Sequence, residues 1–213
     1  MDRAVVEGIT LEYEVTGTGE PAVLIHGALI ADTFRPLLAE PALAHRYKLI
    51  TYHRRGYVGS SHTPGAVSVE RQAADCRALL RHLGVERAHV VGHSYGGVIA
   101  LQLTLDTPDV VHSLALLEPA LMVGATARSY RDAPTHGQQR FREGSPTVVV
   151  DEFLQVRCGA GYRAALEQVL PGAFAQAVAD AATSFDLESP GDCWTGALAR
   201  RRRGASPTRF SSY

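Results

Sequence analysis

The sequence predicts an α/β fold: a mostly parallel sheet, opened by an antiparallel strand pair and followed by a run of helices. Three observations carry that prediction. Residues 22–118 alternate short apolar runs with helical stretches, the pattern of parallel strands joined by crossover helices. Ahead of them, residues 4–6 and 9–15 read as two strands turning at Glu7-Gly8. A serine flanked by glycines, Gly92-His93-Ser94-Tyr95-Gly96, falls where an apolar run ends and a helix begins.

Each element follows from its residues. Pro21-Ala22-Val23-Leu24-Ile25 reads as a strand running into His26-Gly27-Ala28, and Lys48-Leu49-Ile50-Thr51-Tyr52 as the next strand. The latter leads into His53-Arg54-Arg55-Gly56-Tyr57-Val58-Gly59-Ser60-Ser61. Residues 69–83 form an amphipathic helix, with Ala73, Cys76, Leu79, Leu80 and Leu83 on one face and Gly84 as its stop. Residues 88–91 read as a short buried strand and 98–103 as the helix after it. Residues 113–117 form another strand, ending in Glu118-Pro119-Ala120. From about Gly124 the alternation ceases. Residues 147–156, 162–170 and 173–183 read as helices, broken by Gly159, Gly161, Pro171 and Gly172.

The strand–Ser94–helix turn carries the chemistry. A sharp turn holds its middle residue in a strained backbone conformation and pushes that side chain into the open. The helix start behind it offers N–H groups and a positive dipole end, which suit a developing oxyanion. With the His26-Gly27-Ala28 loop, the Arg55–Ser60 stretch and the ordered strands, residues 10–120 resemble the α/β-hydrolase family. Its corresponding motifs are the G-x-S-x-G elbow, the His-Gly oxyanion loop and an R-G-x-G-x-S loop. Most relatives carry Asp where this chain has His53. The resemblance implies Ser94 as nucleophile, with the backbone N–H groups of Ala28 and Tyr95 as the oxyanion hole. Glu118 lies where some relatives, including certain haloalkane dehalogenases, keep their acid; a helix-cap or loop carboxylate is the alternative role.

The resemblance also divides the chain into an α/β-hydrolase core (1–123), a helical cap or lid (124–195) and a basic, disordered tail (196–213). The family's sheet continues after the cap with a seventh and an eighth strand, and its catalytic His follows the eighth. The stretch Asp186-Leu187-Glu188-Ser189-Pro190 with Trp194 resembles the exit from the cap. Beyond it, Arg200-Arg201-Arg202-Arg203-Gly204 begins a tail with no strand period and no His. The expectation is a chain lacking the last two strands through a frameshift or premature stop. His26 and His93 read as packing residues, His53 and His62 as polar lining, and His45, His82, His89 and His112 as structural. His136 lies in the cap entry. No surrogate base stands out.

Composition bounds the rest. At 213 residues, 46% of them hydrophobic, the chain suffices for one core. A net charge of −1 favours neither nucleic acid nor an anionic membrane as partner, and no apolar run is long enough to span a bilayer. Cys76, Cys158 and Cys193 are odd in number and form no C-x-x-C pair, which fits reduced thiols in the cytoplasm. No metal or cofactor is expected, and the expected partner is a small-molecule substrate. Two readings stand: a hydrolase of small ester- or amide-like substrates acting through Ser94, impaired by the missing His, or a non-catalytic remnant or small-molecule binding module. A cofactor-free peroxidase-like or epoxide/haloalkane-type branch of the fold is a third.

Overall fold

The computed structural model describes residues 1–121 and 136–188. Six strands form one sheet: β1 (Asp2–Val6), β2 (Ile9–Thr16), β3 (Glu20–Ile25), β4 (Tyr47–Tyr52), β5 (Ala88–His93) and β6 (Val111–Leu117). Their order is β1-β2-β4-β3-β5-β6. The β1–β2 and β2–β4 pairs are antiparallel, and the remaining pairs are parallel. The expected parallel sheet with an antiparallel N-terminal pair is therefore what forms. Its strands run one or two residues longer than the apolar runs suggest, because ladder pairing extends past the apolar residues.

Helices α1 (Arg35–Leu38) and α2 (Pro41–Ala44) lie between β3 and β4. After β4 come α3 (Val69–His82) and α4 (Tyr95–Asp106), the second starting directly after Ser94. Ser68 caps α3 by accepting the Arg71 N–H at 3.2 Å, the role its short hydroxyl suits. The main core packs Val23, Ile25, Ile50, Tyr52 and Val90 of the sheet against Cys76, Leu79 and Leu80 of α3 and Ile99 and Leu103 of α4. On the opposite face Phe34 and Leu38 cover Ala22, Leu24 and Leu49. There Val91 of β5 packs beside them, and the β6 side chains stay open: Ser113, Ala115 and Leu117 are exposed.

The described region 136–188 is helical, as expected from residue 147 onward. It comprises α5 (His136–Glu143), α6 (Pro146–Cys158), α7 (Tyr162–Val169) and α8 (Ala173–Ala179), followed by a wide π turn, Thr183–Leu187. Val149, Val150, Leu154, Phe174 and Phe185 form its own small core, and Leu29 from the β3 loop is buried in it. Leu29, with Ile30 packed beside it, helps seat the helical region on the sheet's loops. The expected tail, 196–213, lies outside the described residues. Among the described residues no helix is long and apolar enough to cross a membrane.

Candidate active site

Ser94 follows β5 with φ 52° and ψ −119°, a region that side chains rarely adopt. Hydrogen bonds hold it there. Its N–H donates to Leu117 O at 3.0 Å, and its carbonyl accepts from Gly97 N at 2.9 Å and Ala120 N at 3.0 Å. Close backbone packing dictates the flanking glycines. A Cβ on Gly96 would sit 2.1 Å from Ile25 O, and one on Gly92 would sit 2.4 Å from Gly96 O. Strain collects around this end of the sheet. Leu29 (φ 65°), Val58 (φ 51°), Ser94 and Glu118 (φ 43°) all follow the carboxyl ends of parallel strands. Open α/β sheets bind their ligands at that edge. Val58 also occupies the slot of the second glycine in the R-G-x-G-x-S pattern, a departure that the motif reading passed over.

The loop after β3 lies against Ser94: a Cβ on Gly27 would meet Ser94 Cβ at 3.1 Å. Gly27 O accepts from His26 Nδ1 at 2.8 Å and from Arg54 Nη2 at 2.8 Å. Its peptide is trans, so the Ala28 N–H points away from those two donors. Tyr95 opens α4 on the other side of Ser94. These are the two positions that the sequence assigns to the oxyanion hole.

His26 is fully committed. Its Nδ1–H donates to Gly27 O, which leaves Nε2 to accept the Arg54 N–H at 3.0 Å. Burial, and then the Arg54 charge, hold its pKa well below 6.5. It is a neutral scaffold under the oxyanion loop. His53 sits between two carboxylates, with Nδ1 3.1 Å from Glu12 and Nε2 3.2 Å from Asp32. His62 donates to Val58 O at 3.3 Å, and His89 bridges Ser113 Oγ and Glu20. His93 is half-buried, and its Nδ1 has no partner among the described residues. Burial lowers its pKa, and the Glu118 carboxylate acts against that shift. Glu118 itself is exposed at the end of β6. Among the described residues, Ser94 Oγ makes no hydrogen bond to an imidazole.

Sequence reasoning missed a buried polar network beneath the oxyanion loop. Arg54, 1% exposed, pairs with Glu188, 2% exposed, and also donates to Gln72. Burial alone would lower the Arg54 pKa, but the Glu188 carboxylate more than offsets this and raises it. Tyr57 donates to Glu188 at 2.9 Å and meets Ser184 Oγ at 2.8 Å. Burial, and then Glu188, push the Tyr57 hydroxyl pKa up. The signals available were the paired arginines after β4 and the acidic stretch around Glu188, which lie 134 residues apart. Among the described residues no group of three or more His, Cys, Asp or Glu is placed to hold a metal ion.

Comparison with known proteins gives one consistent family. A fluoroacetate dehalogenase from Burkholderia sp is 38% identical over 118 residues, covering 53% of this chain and 38% of the relative. The dihydrolipoyllysine-residue acetyltransferase component of the acetoin cleaving system of Cupriavidus necator is 32% identical over 165 residues, covering 78% of this chain and 43% of that one. The chain thus spans about two fifths of these curated relatives. Among solved structures, a thermophilic esterase from Thermogutta terrifontis superposes with a TM-score of 0.75 at 22% identity, over 94% of this chain and 75% of that one. Residues 21–157 match the family described as alpha/beta hydrolase fold, and the chain belongs to that family.

Proposed function

We propose that the chain carries the nucleophile and oxyanion half of a serine hydrolase acting on small acyl substrates such as esters. The observation that supports this most is Ser94 itself, held at φ 52° between β5 and α4 beside the Gly27-Ala28 peptide. Relatives include a dehalogenase, yet a serine suits acyl transfer better. Attack of Ser94 Oγ on an ester carbonyl forms an acyl-serine ester and expels an alcohol, and water then hydrolyses the new ester. Attack on a carbon–halogen bond would leave a serine ether, which water does not cleave under the same conditions. In the proposed reaction, the Ala28 and Tyr95 N–H groups stabilise the tetrahedral oxyanion.

Residues 124–195 serve in this reading as the cap, and Glu118 as the candidate acid. Since no imidazole is bonded to Ser94 among the described residues, we expect the 213-residue chain to react slowly. Serine is a weak nucleophile without a base. Free Cys76 and Cys158 suit a cytoplasmic setting.

Added imidazole tests the proposal. It should accelerate p-nitrophenyl butyrate cleavage by the wild-type chain, well beyond its effect on Ser94→Ala. A fluorophosphonate adduct should map to Ser94 by mass spectrometry. Equal rates for both proteins, with and without imidazole, together with no adduct, would discard Ser94 as nucleophile.

A further inference from the structure

Leu29 is buried, carries φ 65°, and has its N–H bound to Ser184 Oγ at 3.1 Å. Two residues earlier in the same loop, Gly27 O accepts from Arg54 Nη2, and Arg54 Nε donates to His26 O at 3.0 Å. The Arg54 guanidinium is in turn held by Glu188. The loop that would furnish the Ala28 donor is therefore gripped on both sides. Both grips end on a single five-residue stretch, Ser184 to Glu188, at the exit of the helical region. Tyr57 closes the circuit, with its hydroxyl between Ser184 Oγ and the Glu188 carboxylate. A left-handed leucine persists only where its surroundings over-determine it, and here the over-determination comes from the helical region.

We infer that Ser184 and Glu188 are positioning residues, which through Tyr57 and Arg54 set the orientation of the Gly27–Ala28 peptide. The inference deepens the Ser94 reading and rests on it for its catalytic consequence. Movement of the Ser184–Glu188 stretch, as when the helical region lifts for a substrate, would release Leu29 and rotate the Ala28 N–H away from Ser94. Donor alignment would thus depend on a seated cap. Glu188 and Arg54 fix the Gly27 carbonyl, and a trans peptide transmits that choice to the Ala28 N–H. Ser184 then fixes the next N–H along.

Hydrogen exchange of the loop and phosphonylation of Ser94 test this together. Ser184→Ala and Tyr57→Phe each remove one hydroxyl and keep the charge pair; Glu188→Gln is the stronger perturbation. The expected result is exchange about tenfold faster at Leu29, the scale of one lost hydrogen bond, with β3 unchanged. In imidazole, the maximal rate of Ser94 labelling by a fluorophosphonate should fall about tenfold at an unchanged half-saturating concentration. Unaltered loop exchange in both hydroxyl variants would overturn the inference. So would faster exchange shared equally by β3, which marks a general loss of stability. A loosened loop with an undiminished labelling rate overturns it as well. If the wild-type chain takes no label at all, the Ser94 reading fails, and the exchange result alone still decides whether these residues hold the loop.

Discussion

Val58 has a left-handed backbone (φ 51°) that a β-branched side chain resists, in a slot where the R-G-x-G-x-S pattern places glycine. Its neighbours explain why it stays. Its N–H donates to Asp180 at 3.0 Å, and Gly59 N donates to Glu12 at 3.0 Å. Such strain costs about 1–3 kcal/mol, whereas a glycine loses about 0.5–1 kcal/mol in backbone entropy. Val58→Gly should therefore stabilise the chain by about 1 kcal/mol, raising Tm by about 2–4 °C in calorimetry; a lower Tm would show that the Val58 side chain packs better than its backbone suggests. His53 makes a prediction of a different kind. Both ring nitrogens face carboxylates, so both must donate, which favours the imidazolium. Burial opposes that charge, but the hydrogen bonds to Asp32 and Glu12 outweigh it and raise the pKa above 6.5. A raised histidine contributes fully below its unfolded value and loses its contribution as pH climbs through the folded one. The Tm gap between wild type and His53→Gln should then be widest near pH 6 and shrink steadily on the alkaline side. A gap that grows with pH would mean the ring is bound neutral. The acidic partners work in the opposite sense. Asp32 is lowered below 3.8, first through its bond to His53, so its share is lost only in strong acid.

Among the elements, β5–Ser94–α4 shows what can be read from sequence and what cannot. Apolar runs on either side of a G-x-S-x-G pattern announce a strand and a helix, and both are there. The helix begins at Tyr95, three residues ahead of the apolar run, because Gly96 and Gly97 look like breakers in sequence. In the fold they are contact points, where a Cβ on Gly97 would meet Pro119 at 2.8 Å. Gly96→Ala should therefore push α4 away from the Ile25 and His26 carbonyls, lowering Tm by several degrees and abolishing fluorophosphonate labelling of Ser94. Retention of both stability and labelling would mean that the loop yields instead. Helices α1 and α2 escaped prediction because four residues cannot display a helical period; Leu38 is seated by the sheet beneath it. Helix α5 was missed for another reason. HGQQRFRE is polar all round apart from Phe141, which stacks on Phe185 at 5.5 Å. The Arg54–Glu188 network lay beyond any local pattern, since its members come from the β4 loop, α3 and the exit of the helical region. Only the folded chain shows that Gln72, on the helix after Ser68, donates to the same carboxylate at 3.2 Å.

For the molecule as a whole, β6 decides the behaviour in solution. A strand in a doubly covered parallel sheet is almost continuously apolar, and Val111–Leu117 has that composition, VHSLALL, with no charge after His112. Among the described residues it pairs with β5 alone. One of its edges therefore presents, among the described residues, backbone donors and acceptors, and its open face presents Ala115 and Leu117, the latter 44% exposed. The opposite edge is better defended, because β1 begins with Asp2 and Arg3, and Arg3 is paired to Glu12 at 2.9 Å. Unguarded edges template pairing with further chains, and open apolar faces add to the attraction. The 213-residue chain should accordingly associate at micromolar concentrations and bind a hydrophobic dye before it unfolds. A lysine on the open face offers a clean check, since edge charges discourage such pairing. Ala115 faces Val91 across the ladder and is itself exposed. Ala115→Lys should shift light-scattering mass toward the monomer and weaken dye binding, while stability changes by no more than about 0.5 kcal/mol, as expected of a surface substitution. A wild-type chain that stays monomeric across a hundredfold concentration range, without dye binding, would show instead that this edge and face are covered in solution.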